Sequence, residues 1–396
     1  MTVQCFEVFP ESVPCRIITC VDSCSSNLVS AVMITRFYVN NFRCLVAFEM
    51  RAASFSVICG ANGAGKSSVI DALLLVQNLA SGNSSLGGEG SDDIRDLEFT
   101  RWLNLPTQEF ELAITTAGRC FDYSLKLEQT ARSERPRIVH ERALCDGSEL
   151  FTRDPDGVRF TRRNGTQAQF PLSWRQAALG NIQPDGPLRD IQLLQDAIAS
   201  IFILRTNPMN MEKESCAETR KPNLQLSNLI SWYRSLSQEQ AWTDSLRDSL
   251  QIVWHDFRSF RLVDTGMNRK SLQLRFEGVD IHFHELSDGE RALLALYMIR
   301  AALDTNSGCT VLLDEPDNFV GLSELQPWVL SLRELLDENH QALLSSHHPE
   351  ILSQAGEESG ILLWRDSHLT PTRIGALNVP AGLTAGEAMA RGWIHG

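Results

Sequence analysis

The segment GANGAGKSS, residues 60–68, decides how this 396-residue chain folds. It fits the pattern GxxxxGK[ST] and lies between the apolar run FSVIC and the run SSVIDALLLVQNL, whose apolar residues recur at helical spacing. Glycines let backbone N–H groups curl around a phosphate, and the N-terminus of the following helix favours negative charge. The segment therefore predicts a phosphate-binding loop between a buried strand and a helix.

Each residue type in this loop suits one part of a nucleotide. We expect the Lys66 ammonium to reach the β- and γ-phosphates of ATP and the Ser67 hydroxyl to ligate Mg²⁺. The other residues of the predicted nucleotide-binding loop are Asn62, Gly63, Gly65 and Ser68. The alternative is a glycine-rich turn that fits the pattern by accident, which leaves the flanking strand and helix unexplained.

A second motif, TVLLDEPD at residues 310–317, is an apolar run that leads into two adjacent carboxylates. A buried strand would carry Asp314 to its carboxyl end, where α/β proteins bind ligands. We expect Asp314 to hold Mg²⁺ through water and Glu315 to act as the general base that polarises the attacking water. Alone, this pattern is a common strand end; with the phosphate loop it predicts a Walker B motif.

A third motif, LSDGE at residues 286–290, opens a helix. The Ser287 hydroxyl, the backbone N–H groups around Gly289 and the helix dipole would then point at one spot, which suits a phosphate. The simpler alternative is a plain N-cap, with Ser287 or Asp288 as the cap and Glu290 in the first turn. Both interpretations can hold together.

A fourth motif, ALLSSHHPE at residues 342–350, is an apolar strand that ends in two histidines and a proline. We expect His347, the first residue after the strand, to contact the γ-phosphate and sense hydrolysis. The alternative is a histidine with a structural role, which is the commoner case for a single histidine.

In this order the four motifs resemble the signature set of ABC-type ATPases. The start ITRFYVNNFRCLVAFEM is similar to the first strands of the RecF/SMC/OLD-like branch, which carry an N-F-R segment before the phosphate loop. The resemblance implies that Arg43 approaches the nucleotide. It also implies that Ser287 and Gly289 cap the γ-phosphate held by a second subunit, so that a homodimer or higher homo-oligomer sandwiches ATP and Mg²⁺.

The chain departs from the family pattern at two motifs. The usual DEPExxLHP is DEPDNFVGLSELQP here, and the usual THSP is SHHP, which keeps the first histidine. The glutamine loop has no clear match, and its candidate is Gln77, within the helix after the phosphate loop. SMC proteins carry long coiled coils between the first and third motifs, whereas this chain has no heptad array there. We also expect no TOPRIM domain after His347.

The order of elements predicts an α/β fold: an ABC-ATPase head, which is a P-loop NTPase, with an antiparallel β subdomain and a helical insert. Strand-like runs separated by turn residues between about residues 109 and 163 predict the antiparallel meander. The predicted divisions are an N-terminal extension at 1–32, the first part of the ATPase lobe at 33–164, the helical insert at 165–275, and the second part of the lobe at 276–396.

Composition restricts the possible partners. The net charge of −13 argues against nucleic-acid binding over the whole surface. No apolar stretch is long enough to span a bilayer and the start does not fit a secretory signal, so we expect a cytoplasmic protein without a membrane partner. The ten cysteines are then mostly reduced thiols. Four of them, Cys5, Cys15, Cys20 and Cys24, lack the regular spacing of a zinc site.

The resemblance implies an ATPase subunit of a bacterial DNA-directed or antiphage defence complex whose effector, such as a nuclease, is a separate chain. The alternatives are a RecF-like DNA repair ATPase, an ABC transporter ATPase subunit, and a scaffold that binds ATP but hardly hydrolyses it. DNA contact would fall on local basic clusters, for which solvated strand edges are the simpler interpretation. These clusters comprise Arg132, Arg135, Arg137, Arg142, Arg159, Arg162, Arg163, Arg258, Arg261, Arg269 and Lys270.

Overall fold

The computed structural model describes residues 31–90, 93–131, 133–161, 167–183, 189–305, 308–336, 339–377, 379–380 and 382–391. Nearly all of the predicted N-terminal extension therefore lies outside the described residues, together with its four cysteines. The same holds for three arginines of the basic clusters, Arg132, Arg162 and Arg163.

The described residues form three sheets and several helices. In chain order the strands are β1 (Val32–Asn40), β2 (Phe48–Arg51), β3 (Phe55–Cys59), β4 (Thr107–Thr116), β5 (Arg119–Glu128), β6 (Arg137–Cys145), β7 (Ser148–Asp154), β8 (Gly157–Thr161), β9 (Gln167–Phe170), β10 (Phe202–Leu204), β11 (Phe257–Gly266), β12 (Arg269–Phe276), β13 (Val279–His282), β14 (Thr310–Asp314), β15 (Gln341–Ser345), β16 (Gly360–Trp364) and β17 (Arg373–Ala376). The helices are α1 (Lys66–Ala80), α2 (Arg189–Ser200), α3 (Leu229–Leu236), α4 (Gln240–Val253), α5 (Asp288–Thr305), α6 (Leu322–Leu335), α7 (Pro349–Ser359) and α8 (Ala385–Ala390).

The central sheet has six strands in the order β10-β14-β15-β3-β16-β17, and only the pair β16–β17 is antiparallel. Successive side chains of a strand point to opposite faces, and both faces of this sheet are buried. One face packs with α1 through Ile58, Leu312 and Leu343. The other packs with α5 through Val57, Leu313 and Leu344. Two buried faces explain why β3, β14 and β15 are mostly apolar runs, with the buried Ser56 as a polar exception inside β3.

The second sheet is the predicted antiparallel meander, with eight strands in the order β2-β1-β4-β5-β6-β7-β8-β9. Its strands alternate buried and more exposed residues, as in β4, where Phe110, Leu112 and Ile114 point inward. These side chains belong to the same apolar core as Val69 and Leu73 of α1. The helix that follows the phosphate loop is therefore held between the two sheets.

A buried polar network lies inside the eight-stranded lobe. Glu141 is fully buried; its carboxylate accepts hydrogen bonds from the Tyr123 hydroxyl at 2.9 Å and from the backbone N–H groups of Ala178 and Leu179. The buried Arg153 guanidinium lies 3.8 Å away. Burial raises the pKa of Glu141, against the effect of these four partners. The network ties the meander to the segment that follows it.

The segment 165–275, predicted as a helical insert, contains α2, α3 and α4 but also strands β9 to β12. Strand β10 pairs in parallel with β14 and so extends the central sheet. Helix α4 packs on α5, where Trp242 and Leu246 share a core with Leu293. The three-stranded sheet β11-β12-β13 then leads into the LSDGE motif. The domain boundaries stay a prediction. Across the described ranges, no helix is both long and apolar enough to cross a membrane.

Candidate nucleotide site

Four neighbouring parallel strands deliver the polar residues of the site to one edge of the central sheet. Strands β10, β14, β15 and β3 are hydrogen-bonded in that order. Because they are parallel, their carboxyl ends meet at the same edge, where α/β sheets bind ligands. The residues that follow these ends are Arg205, Glu315, Ser346 and Gly60, and Asp314 is the last residue of β14.

The phosphate loop needs glycine where it approaches other backbone. A Cβ on Gly60 would lie 2.2 Å from the Leu363 carbonyl oxygen, so no larger residue fits. Gly65 has φ +112°, and a Cβ there would lie 2.5 Å from the Thr372 hydroxyl oxygen. Gly63, with φ +80°, is also in the left-handed region. These positions hold the loop in a conformation that other residues rarely adopt.

Lys66 supports the prediction of a phosphate site. Its side chain is buried, with 5% of the residue exposed, and its ammonium donates to the carbonyl oxygens of Gly60 at 3.0 Å and Ala61 at 3.5 Å. No carboxylate of the described residues lies within ion-pair distance of it. A buried cation held only by carbonyl oxygens is costly unless an anion joins it. The phosphate groups of a nucleotide fit this requirement.

The oxygens beside Lys66 suit a magnesium ion. The Ser67 hydroxyl lies 3.4 Å from Oδ1 of Asp314, and the Ser345 hydroxyl donates to the same oxygen. Asp314 is buried, with 3% exposed. Hydroxyl and carboxylate oxygens are ligands that Mg²⁺ prefers. Ser67 and Asp314, predicted separately from two motifs, are thus brought together.

Glu315 has an unusual backbone conformation. Its φ is 49°, which is the left-handed region that non-glycine residues seldom adopt. Its N–H donates to the Ser345 carbonyl at 3.0 Å and to the Ser345 hydroxyl at 3.1 Å, and its carboxylate accepts from the Asn318 amide at 3.0 Å. Such a conformation costs about 1–3 kcal/mol and concentrates at functional sites. It occurs here at the residue predicted to be the general base.

The LSDGE motif forms the predicted cap of α5. The Ser287 hydroxyl accepts from the Glu290 N–H at 3.3 Å, and the Glu290 carboxylate accepts from the Ser287 N–H at 2.8 Å, which is a capping box. Ser287 is nevertheless exposed. A Cβ on Gly289 would lie 2.9 Å from the Phe319 carbonyl oxygen, so this glycine lets the helix approach the loop after β14. The structural interpretation of Ser287 therefore holds, and it leaves the hydroxyl at the surface.

The histidine motif follows β15. His347 is exposed, directly after the buried Ser346. The Ser346 hydroxyl donates to the Asp317 carboxylate at 2.7 Å and accepts from the His348 N–H at 2.9 Å. This serine thus joins the histidine motif to the loop that carries Glu315. A role for His347 toward a phosphate stays a prediction.

Arg43 reaches α1 rather than the phosphate loop itself. Its guanidinium bonds to Asp71 of α1 and to Glu98, and these carboxylates raise its pKa. Its φ of 50° also lies in the left-handed region. Gln77, the candidate for the glutamine loop, donates to the carbonyls of Ile198 and Ile201 at 2.9 and 2.6 Å, and so holds the end of α2.

One residue of the site was missed by the sequence analysis. Arg205 follows β10, and its Nε lies 2.8 Å and its Nη2 2.6 Å from Oδ2 of Asp314. Its Nη2 also lies 3.0 Å from Asp71. Although burial disfavours the charged form, the two carboxylates together raise the pKa of Arg205. The signal in the sequence was the apolar run FIL ending in an arginine, which is too short to stand out.

Comparisons with known proteins place the chain in a family and identify relatives of similar fold. A family model described as "AAA domain, putative AbiEii toxin, Type IV TA system" matches residues 55–353. A curated relative, the OLD nuclease of Thermus scotoductus, is 24% identical over 353 residues, which cover 84% of this chain and 62% of that protein. The chain thus spans less than two thirds of that relative's length.

Solved structures of SMC heads share the fold. An Smc head domain with an extended coiled coil, bound to the C-terminal domain of ScpA and derived from Pyrococcus furiosus, has a TM-score of 0.54 at 14% identity, covering 91% of this chain and 98% of that chain. An SmcHead bound to the C-winged helix domain of ScpA has a TM-score of 0.50 at 16% identity, covering 87% and 98%. At these identities the likeness shows the fold alone. Because the family model covers well over half of the sequence, the chain belongs to this AAA-domain family.

Proposed function

We propose that this chain binds ATP with Mg²⁺ and hydrolyses it between two copies of itself, as the ATPase subunit of a larger complex. The observation that carries the proposal is the buried Lys66, which has no carboxylate partner among the described residues and lies beside the Ser67–Asp314 pair. A buried cation next to a pair of metal-type oxygens suits a nucleotide phosphate with its metal.

The roles of the residues follow from their positions. Lys66 and the backbone N–H groups of the loop would bind the β- and γ-phosphates, and Ser67 and Asp314 would hold the metal. When bound, Mg²⁺ would neutralise charge on the phosphate oxygens. Glu315 would accept the proton of the attacking water, and Asn318, which now bonds to its carboxylate, would help to orient it. His347 would lie beside the γ-phosphate.

Support for a dimer comes from the exposed start of α5. Within the described part of the chain, the Ser287 side chain bonds to Glu290 and forms no hydrogen bond with the phosphate loop. The exposed hydroxyl and the helix N-terminus are thus free to meet a phosphate held by a second copy. In this arrangement ATP would close the dimer and hydrolysis would open it.

For the wider complex, we propose a role in DNA-directed or antiphage defence with a separate effector such as a nuclease. The relative named OLD nuclease supports this direction at the family level. Direct DNA contact through the basic clusters has less support, because most of their described members pair with carboxylates. These pairs are Arg137–Glu128, Arg142–Glu149, Arg159–Asp154, Arg258–Glu277, Arg269–Glu214 and Lys270–Asp264.

The test is the mass of the Glu315→Gln protein in solution, with and without ATP and Mg²⁺. This change should retain ATP and lower the rate of phosphate release by about 10²–10⁴-fold. We expect ATP to double the mass, and we expect Ser287→Arg to abolish the doubling. Glu334→Gln, which changes an exposed glutamate of α6, is the matched control. A monomer that ATP leaves unchanged would overturn the sandwich.

A further inference from the structure

Arg205 joins two carboxylates that belong to different parts of the site. Two of its nitrogens, Nε and Nη2, contact Oδ2 of Asp314, at the end of the central strand β14. Nη2 also contacts Asp71, on the second turn of α1, whose other oxygen bonds to Arg43. Arg205 therefore links the predicted metal ligand to the helix that follows the phosphate loop.

The two oxygens of Asp314 have different partners. Oδ1 lies near the hydroxyls of Ser67 and Ser345, whereas Oδ2 lies against Arg205. A carboxylate with 3% exposure is costly to keep ionised without a nearby positive charge. In the structure as it stands, Arg205 supplies that charge. It also fixes the orientation in which Oδ1 faces Ser67.

We propose that Arg205 is a positioning residue that acts as the resident cation of this site: it compensates Asp314 before the metal binds and stays tied to Asp71 afterwards. The inference rests on the proposed function, because it assumes that a nucleotide and Mg²⁺ bind here. Arg205 adds a positive charge that belongs to the chain itself, so that nucleotide binding depends less steeply on the Mg²⁺ concentration. Nη1, which has no partner among the described residues, remains available to a phosphate oxygen.

Removing the positive charge of Arg205 should change metal binding and nucleotide binding in opposite directions. Arg205 and Mg²⁺ compete for the carboxylate of Asp314, so removal of the arginine should strengthen metal binding. Without metal, Arg205 is a cation close to the phosphates, so its removal should weaken nucleotide binding. A residue with a purely structural role would change both measurements in the same direction. The metal dependence of binding therefore separates the two roles.

The experiment measures binding of mant-ATP to the full chain, in the Glu315→Gln background so that hydrolysis does not consume the ligand. Dissociation constants are compared in excess EDTA and in saturating Mg²⁺, and Mg²⁺ is then titrated at fixed nucleotide. For Arg205→Gln we expect roughly tenfold weaker binding in EDTA, little change in saturating Mg²⁺, and roughly tenfold less Mg²⁺ for half-maximal binding. Arg205→Lys keeps the charge, so both dissociation constants and the Mg²⁺ concentration for half-maximal binding should remain close to those of the parent protein.

Arg258→Gln is the matched control, because it removes an exposed arginine from the three-stranded sheet and should change none of the three values. If Arg205→Gln weakened mant-ATP binding equally in EDTA and in Mg²⁺, with an unchanged Mg²⁺ requirement, the inference would be overturned while the proposed function stayed intact. Absence of nucleotide binding by the parent protein both in EDTA and in saturating Mg²⁺ would overturn the proposed function, and with it this inference. If Arg205→Gln does not fold, the comparison rests on Arg205→Lys, whose loss of metal-free binding would also overturn the proposal.

Discussion

The two large sheets of this molecule differ in whether their buried charged groups have charged partners in the chain. In the eight-stranded lobe, Glu141 is surrounded by partners from the same chain, including Tyr123 and Arg153. At the edge of the six-stranded sheet, Lys66 is also buried, yet carbonyl oxygens are its hydrogen-bond partners. The first arrangement is complete as it stands, whereas the second still needs an anion. The difference teaches that a charge left unbalanced by its own chain indicates where a ligand belongs.

Residues with left-handed backbone conformation also serve different purposes in the two sheets. The loop after β14 keeps Glu315 in the left-handed region, and its hydrogen bonds to Ser345 hold it there. In the eight-stranded lobe, Ala117 and Asp146 are left-handed at tight hairpin turns, where such conformations are expected. At these two turns the left-handed conformation serves the chain reversal, and at Glu315 it serves the site.

The contrast between the two sheets is tested most strongly by removing Glu141 from the fully bonded network of the eight-stranded lobe. Glu141→Ala leaves Arg153 and Tyr123 buried without their partner, and loss of one member of a buried ion pair costs about 3–5 kcal/mol of unfolding free energy. Urea denaturation should show this loss as a lower midpoint. Glu149→Ala, which breaks the exposed pair with Arg142, should change the unfolding free energy by less than about 1 kcal/mol. Equal effects of the two changes would show that the buried network is not special.

The opposite result is expected at the site. Lys66→Met removes a buried cation that has no carboxylate partner among the described residues, so the unfolding free energy should stay the same or rise slightly. ATP affinity should fall roughly 100-fold, equivalent to about 2.7 kcal/mol, because a charge-assisted contact with phosphate is lost. Urea denaturation and mant-ATP titration measure the two quantities.

Lys126→Met is the control for this change, since Lys126 forms an exposed pair with Glu109 in the lobe. It should leave ATP affinity unchanged. A large loss of stability in Lys66→Met would mean that the carbonyls of Gly60 and Ala61 already satisfy the ammonium, and the contrast between the two sheets would disappear.

The same contrast explains what could be predicted from the sequence. Strands buried on both faces are mostly apolar runs, so FSVIC and TVLLD stood out, and the α/β fold with an antiparallel subdomain is confirmed. The meander was recognisable from alternation and turn residues. The short strand β10 was not recognised, because its pairing with β14 is set by contacts between residues over a hundred positions apart.

The site residues that could be predicted from the sequence are those that lie in local motifs. Gly65, Lys66, Ser67, Asp314 and Glu315 lie within contiguous motifs whose spacing is fixed by a turn or a strand end. Arg205 and Asp71 belong to no motif, and they matter only because β10 lies beside β14. Local patterns report local geometry, and a charge pair between distant segments leaves no such pattern.

The smallest expected effect concerns Ser287, which shares features of both regions: its hydroxyl already bonds to Glu290, yet it is exposed where the proposed dimer would meet. Ser287→Ala removes the cap of α5 and should lower the unfolding free energy by about 1 kcal/mol. Ser287→Thr keeps a hydroxyl that can cap the helix and should recover most of that loss. Urea denaturation of the nucleotide-free protein measures this structural part alone.

The functional part appears when ATP and Mg²⁺ are added to the same variants in the Glu315→Gln background. If the Ser287 hydroxyl also binds a phosphate across the dimer, Ser287→Ala should weaken ATP-dependent dimerisation by more than its loss of monomer stability accounts for. Sedimentation equilibrium gives that dimerisation constant. Dimerisation that changes only in proportion to stability would make Ser287 a helix cap and nothing more. The motif would then belong with Glu141, among the groups that the chain satisfies by itself, rather than with Lys66.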